Sequence, residues 1–271
     1  MVISKTPFQS FRLELTNISD CIELIRKGVN TRRAVAQALG VGEKKAEGIF
    51  EWAEFLGLLE DRPRTRAQVL SHLGQELVKV QGLPSNAKTL EILYAMIVLN
   101  HPLVNRIINE FAYDMSRRFD PSFDKDTFKR SLLNIGQDFD VDPAFLSKRA
   151  SIYLDLLTSP SNLGRLGILV ERADGTFCVN SYMPDWRSAA YIMYASWPGN
   201  TSRIRIDELV SGRNSLGRIF FLTEPQIMAL LSKLERERAI ALEMIADLDQ
   251  IGLNPSMEAR DFLEMLIHDQ S

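Results

Sequence analysis

Residues 30–61 read NTRRAVAQALGVGEKKAEGIFEWAEFLGLLED. Thr31 can accept a hydrogen bond at the start of a helix, in which Ala34, Val35, Ala38 and Leu39 form the inward stripe. Gly40-Val41-Gly42 supplies a tight turn. A second helix follows, with Ala46, Ile49, Phe50 and Ala53 on one face and Gly57 as its stop. Two amphipathic helices joined by a short glycine-bearing turn are the helix-turn-helix pattern. Just upstream, Ile18, Cys21, Ile22 and Ile25 repeat the i, i+3, i+4, i+7 spacing of an amphipathic helix. Downstream, Leu58-Leu59-Glu60 reads as a short strand and residues 62–66 as a wing or loop. Trp52 reads as core edge. The stretch therefore predicts a winged helix.

The same logic extends along the chain. The segment AKTLEILYAMIVLNHP is apolar on most sides, which predicts a buried central helix. LVNRIINEFAYDMSRRF places Leu103, Ile107, Phe111 and Met115 at four-residue spacing in a second helix, and FDKDTFKRSLLNIG reads as a third. Asp142 and Pro143 open another helix, and Asp174-Gly175 marks a hairpin after it. Trp186–Trp197 and residues 206–211 read as helices. Thr223 and Gln226 form a capping box, AIALEMIADLDQIGLN reads as a hairpin, and a helix with Ala259, Phe262, Leu263 and Leu266 on one face follows. The expectation is a mainly α protein with small β-hairpins: tandem winged-helix units joined by a helical block. The divisions fall at 1–84, 85–140, 141–182 and 183–271. No exact-period repeat is present; helix, helix, hairpin recurs loosely.

Composition bounds the function. The 271 residues are 45% hydrophobic and 25% charged, ordinary values for a soluble globular chain. Apolar runs are too short to span a bilayer, and MVISKTPFQSF lacks the build of a secretory signal. Cys21 and Cys178 are isolated, so neither a zinc site nor a disulfide framework is expected. A cytoplasmic protein without membrane contact or cofactor follows from these features. Net charge is −3. Residues 1–82 hold 12 basic and 10 acidic groups, residues 83–219 hold 16 and 15, and residues 220–271 hold 4 and 10. A strong nonspecific DNA binder is usually more basic, so any DNA contact must be a local patch.

Candidate phosphate contacts cluster near the first helix-turn-helix: Arg32, Arg33, Lys44 and Lys45, with Arg62, Arg64 and Arg66 on the wing. The same helix carries Glu43, Glu47, Glu51 and Glu54, which repel phosphates. DNA contact and a solvated or protein-binding face stay equally open. In the later unit Lys148 and Arg149, beside Ser147, Ser151 and Tyr153 on an outward face, are further DNA candidates, with Arg165 and Arg172 flanking. Asp138, Asp140 and Asp142, and the group Asp120, Asp124 and Asp126, have the chemistry to hold Mg²⁺ for phosphodiester cleavage, but they read first as turn and cap residues. No P-loop, nucleophile elbow or histidine metal motif is present.

The pieces LGLLED, LSHLGQELV, NEF at 109–111, LLTSPSNLGRLGILVERADGTFCV and GRNSLGRIFFLTEPQIMALLSKLE occur in this order. So arranged, they resemble a bacterial domain-of-unknown-function family encoded beside DNA phosphorothioation and other phage-defence genes. PFQSF departs from the family in lacking a histidine between its phenylalanines, and Arg149 stands where an acidic residue is expected. The resemblance implies a DNA-binding or adaptor component of a DNA-modification or antiphage system. Its expected partners are double-stranded DNA and proteins of the same system; homodimerisation is open. It places no catalytic residue. A metal-dependent nickase, a scaffold and a transcription regulator are the alternatives.

Overall fold

The computed structural model describes residues 11–60, 67–79, 86–139, 141–245 and 248–268. The chain is mainly helical, with two three-stranded antiparallel sheets among the described residues. Helices α1 (Leu15–Arg26), α2 (Arg32–Leu39) and α3 (Glu43–Phe55) come first. Thr31 caps α2 by accepting from the Ala34 amide, and Gly40 ends it at φ 65°, a left-handed conformation that suits glycine. The inward stripe of α2 is Val35 and Ala36 with partly buried Leu39, while Ala38 is exposed. The expected strand at residues 58–60 shrinks to an isolated bridge between Leu59 and Leu70. Beside it the Gln68 amide donates to the Asn30 carbonyl at 2.9 Å. Trp52 is fully buried rather than at the core edge, and donates from Nε1 to the Phe11 carbonyl at 3.0 Å.

Helix α4 (His72–Val78) lies close against the end of α3. A Cβ on Gly74 would meet the Leu58 carbonyl oxygen at 2.1 Å, so only glycine fits there. Helix α5 (Ala87–Asn100) is buried nearly all round, as its apolar sequence dictates. It packs against α3, against a short 3₁₀ turn at Leu163–Leu166 and against helix α10 (Trp186–Ser196).

The next helix runs through α6 (Pro102–Arg106), a π-helical stretch at Ile107–Ala112 and α7 (Tyr113–Ser116). Leu103, Ile107, Phe111 and Met115 are all buried, as their spacing requires. Strand β1 (Ser122–Phe123) takes Phe123 from the start of the expected third helix and precedes α8 (Lys125–Gln137) and α9 (Pro143–Thr158). Strands β2 (Leu169–Glu171) and β3 (Phe177–Val179) form a hairpin, and β1 pairs with β3 through Ser122–Cys178 and Phe123–Phe177. This sheet joins residues on both sides of position 140.

The last third follows the same order. After α10 come β4 (Ile204–Arg205), α11 (Ile206–Ser211), the short α12 (Leu216–Ile219) and α13 (Glu224–Arg236). Gln226 accepts from the Thr223 amide at 2.8 Å at the start of α13. Strands β5 (Ile240–Ile245) and β6 (Leu248–Leu253) complete a sheet in the order β4-β6-β5, matching β1-β3-β2. Helix α14 (Ala259–His268) packs on α10 and reaches back to α4. A helix, an extended segment, further helices and an antiparallel pairing thus occur three times among the described residues, with two intervening helices in the first two cases, three in the last, and an isolated bridge in place of a hairpin in the first. The extended segment pairs with the second strand of the hairpin in the last two cases, and Asn30 bonds Gln68 in the first.

Candidate nucleic-acid interface

In the first two repeats the helix before the hairpin position, α3 and α9, has an outward face, and the two faces differ in charge. On α3, Lys45 pairs with Glu14 at 3.2 Å and Arg32 of α2 pairs with Glu47 at 3.0 Å. Arg33 and Lys44 are exposed and make no ion pair among the described residues. Glu51 and Glu54 also have partners. Arg62, Arg64 and Arg66 lie outside the described residues. Two of the four described cations predicted here are therefore tied to carboxylates. An ion pair must be broken or shared before either can serve a phosphate, which lowers its value as a contact.

Helix α9 is different. Asp142 caps it by accepting from the Ala144 amide at 2.9 Å. Lys148 and Ser151 are exposed and Ser147 is half-buried. The helix's own carboxylate, Asp155, sits in its last turns and pairs with Arg12 at 3.4 Å. Its first three turns carry no acid beyond the cap, and Lys148 makes no ion pair among the described residues. Arg149 folds back on its own helix, its guanidinium 3.4 Å from the Phe145 ring centroid. Tyr153 does not belong to the outward face. It is fully buried, edge-on to the His101 ring at 5.9 Å. Its apolar ring follows the inward Leu146, Ala150, Leu154 and Leu157 rather than the serines. Arg165 lies in the 3₁₀ turn, and Arg172, just beyond β2, pairs with Asp120 at 3.8 Å.

Among the described residues the candidate Mg²⁺ carboxylates do not converge. Asp124 caps α8 through the Thr127 amide at 2.7 Å, and hydrogen bonds from the Thr127 side chain and amide hold its carboxyl below the usual range. Asp120 accepts from the Ser122 amide at 3.2 Å, and Asp138 pairs with Arg106. Asp140 is outside the described residues. Among the described residues no group of three His, Cys, Asp or Glu side chains is placed to hold a metal ion.

The structure also joins two motifs that are distant in sequence, NEF on the π-helical stretch and RNS in the loop between α11 and α12. Buried Asn109 accepts from the Asn214 amide at 2.8 Å and donates to its Oδ1 at 3.2 Å. Asn105 donates to the same Oδ1 at 2.6 Å, and Arg218 donates to the Asn109 carbonyl at 2.6 Å. Asn214 is held at φ 64°, a conformation that asparagine tolerates better than most residues. Three polar residues spaced across a hundred positions give no periodic signal, which is why the sequence reading passed over their contact.

No protein-family model matches the chain, and no curated protein sequence matches it. Its fold is similar to two solved structures. One is a magnesium ion-bound crystal structure of SspB, with TM-score 0.74 and 14% identity, covering 96% of this chain and 85% of that one. The other is a second SspB crystal structure, with TM-score 0.71 and 13% identity over the same shares. At this identity the likeness is one of fold.

Proposed function

We propose that this chain is a noncatalytic DNA-binding or adaptor component of a bacterial DNA-modification or antiphage system. Each of its three repeats is read as a winged-helix-like unit, and the middle unit makes the DNA contact. The observation that carries this reading is the face of α9. It offers Lys148 with the Ser147 and Ser151 hydroxyls beside it, and no carboxylate over its first three turns. Helices before a wing commonly enter the major groove, with cations and hydroxyls on flanking phosphates. The resemblance to a family encoded beside phosphorothioation and phage-defence genes supplies the biological setting.

The first unit favours a second role. Its helix α3 is a mixed field of ion pairs, Arg32 with Glu47 and Lys45 with Glu14. Such a surface suits another protein of the same system, or a second copy of the chain, better than a polyanion.

The test is anisotropy of a labelled DNA duplex across a salt series. Wild type is compared with a Lys148→Glu/Ser151→Glu variant and with an Arg33→Glu/Lys44→Glu variant. The expected result is binding that falls steeply with salt, is lost in the first variant and is retained in the second. Loss only in the second moves the contact to the first unit. Absence of binding at low salt overturns the DNA reading and leaves the protein-holding role.

A further inference from the structure

Phe119 packs on nothing: it is 108% exposed, the largest exposure of any described large hydrophobic residue. Soluble proteins tolerate single exposed apolar side chains, but the surroundings of this one are ordered and charged. It follows the exposed Arg117 and Arg118 in the loop between α7 and β1. Arg117 lies over the Tyr113 ring at 4.7 Å and donates to its hydroxyl at 2.9 Å. Arg218 lies over the same ring at 4.3 Å, anchored by donation to the Ser211 carbonyl at 2.7 Å. On the far side of Phe119, Asp120 holds Arg172 of the hairpin and caps the turn at Ser122. The loop is thus pinned at both ends while its phenyl ring stands in solvent.

The charge around the ring is mostly positive. Arg117 and Arg118 precede the ring in sequence, Arg172 is held at the adjacent Asp120, and Arg218 shares the Tyr113 ring with Arg117. Of the nearby carboxylates, Asp120 is engaged by Arg172, Glu110 lies between Arg106 and Arg213 at 2.8 and 3.7 Å, and Asp114 is exposed one turn earlier. An exposed aromatic ring beside arginines is complementary to a polyanion that itself carries aromatic faces. Nucleic acid is that polyanion: phosphates take the guanidiniums, and a base takes the ring by stacking or by being wedged.

We propose that Arg117, Arg118 and Phe119 form a nucleic-acid knuckle, in which Phe119 stacks on an exposed or partly unstacked base while the two arginines hold neighbouring phosphates. This rests on the reading of the chain as a DNA binder and adds a contact outside the α9 face. A stacked base is worth about 1–3 kcal/mol by alanine substitution, which at 1.4 kcal/mol per decade is a loss of roughly 5- to 150-fold in affinity.

The experiment uses the full chain with labelled duplex and labelled oligo-dT. Phe119→Ala is expected to fold as wild type, because the ring touches nothing, and to lose affinity by that factor. Phe119→Trp is expected to retain affinity, and its added solvent-exposed indole emission is expected to be quenched on binding, as stacking requires. Stronger loss with oligo-dT than with duplex identifies the ligand as an unpaired base; equal loss identifies a wedge into the duplex. If wild type binds DNA and Phe119→Ala binds equally well, with no quenching in Phe119→Trp, the knuckle is overturned and the α9 reading stands. If wild type binds neither DNA, both fall together.

Discussion

His101 shows what burial does to a single side chain. It is fully buried, with its ring 4.4 Å from Phe55 and 5.7 Å from Trp52 by centroid. Its Nδ1 accepts from the Val104 amide at 3.4 Å and so caps α6, which puts the proton on Nε2. Nε2 has no hydrogen-bond partner among the described residues and lies in an aromatic box. Burial pulls the imidazole down from 6.5 to about 3. The unfolded chain takes up a proton below pH 6.5 that the folded chain refuses until about pH 3. Stability is therefore lost as pH falls through this window, by about 1.4 kcal/mol per pH unit once below 6.5. Chemical denaturation at pH 7.5 and pH 5.0 is expected to differ by about 2 kcal/mol from this group. His101→Asn keeps a cap and removes the titration, so its acid limb is expected to flatten; parallel curves for the two proteins would sink the assignment. Glu91 works in the opposite sense. Burial raises its carboxyl, against acceptance from the Tyr182 hydroxyl at 2.7 Å and the Asp185 amide at 3.0 Å. A raised carboxyl contributes stability below its unfolded value and loses it as pH rises through the folded one. Glu91→Gln is expected to remove that loss, read as a shallower decline in denaturation midpoint above pH 5.

At the scale of elements, caps and close contacts decide where helices end and how they meet. Thr31, Asp124 and Asp142 cap as their identities predict, because N-cap chemistry is local and needs no knowledge of the fold. The hairpin at Asp174-Gly175 was legible for the same reason. Strand β1 was not: two residues give no alternation to read, and its pairing with β3 spans more than fifty positions. The α9 face was half legible. Serine and lysine spacing marked it, but Tyr153 carries a hydroxyl that let it pass for an outward residue. The inward side of α2 was also misjudged, since in a run of small residues Ala36 and Ala38 differ little in pattern. Two substitutions test the joints between elements. Gly74→Ala drives a Cβ into the Leu58 carbonyl and is expected to cost about 1–3 kcal/mol, as overpacking does, read as a lower urea midpoint with unchanged slope. Asn109→Ala leaves the Asn214 amide without its acceptor and is expected to cost about 2–3 kcal/mol. A loss under 0.5 kcal/mol in either case would show that the joint relaxes freely.

Across the whole molecule, the mainly helical content with small antiparallel sheets was readable, but the threefold recurrence was only half visible. Its repeats share topology and not period, because α12 and the π-helical stretch shift the spacing. The unit before position 140 and the unit after it are one sheet, a fact that only pairing reveals. Helix α5 touches parts of all three repeats, and Tyr94 on it donates to the Ile219 carbonyl at 2.9 Å. The repeats are therefore expected to unfold together. Circular dichroism and tryptophan fluorescence should give coincident transitions, and Leu93→Ala in α5 should lower both midpoints by the same amount, with a core-cavity cost of about 2–5 kcal/mol. Separate transitions would show that the repeats are independent.

The shared packing on α5 has a geometric consequence. Elements from all three repeats are held on one axle, so their separations are set before any partner arrives. For the DNA-binding role proposed above this predicts a caliper: engaging two points at once would cost little ordering entropy, and a target whose two points are wrongly spaced would bind poorly.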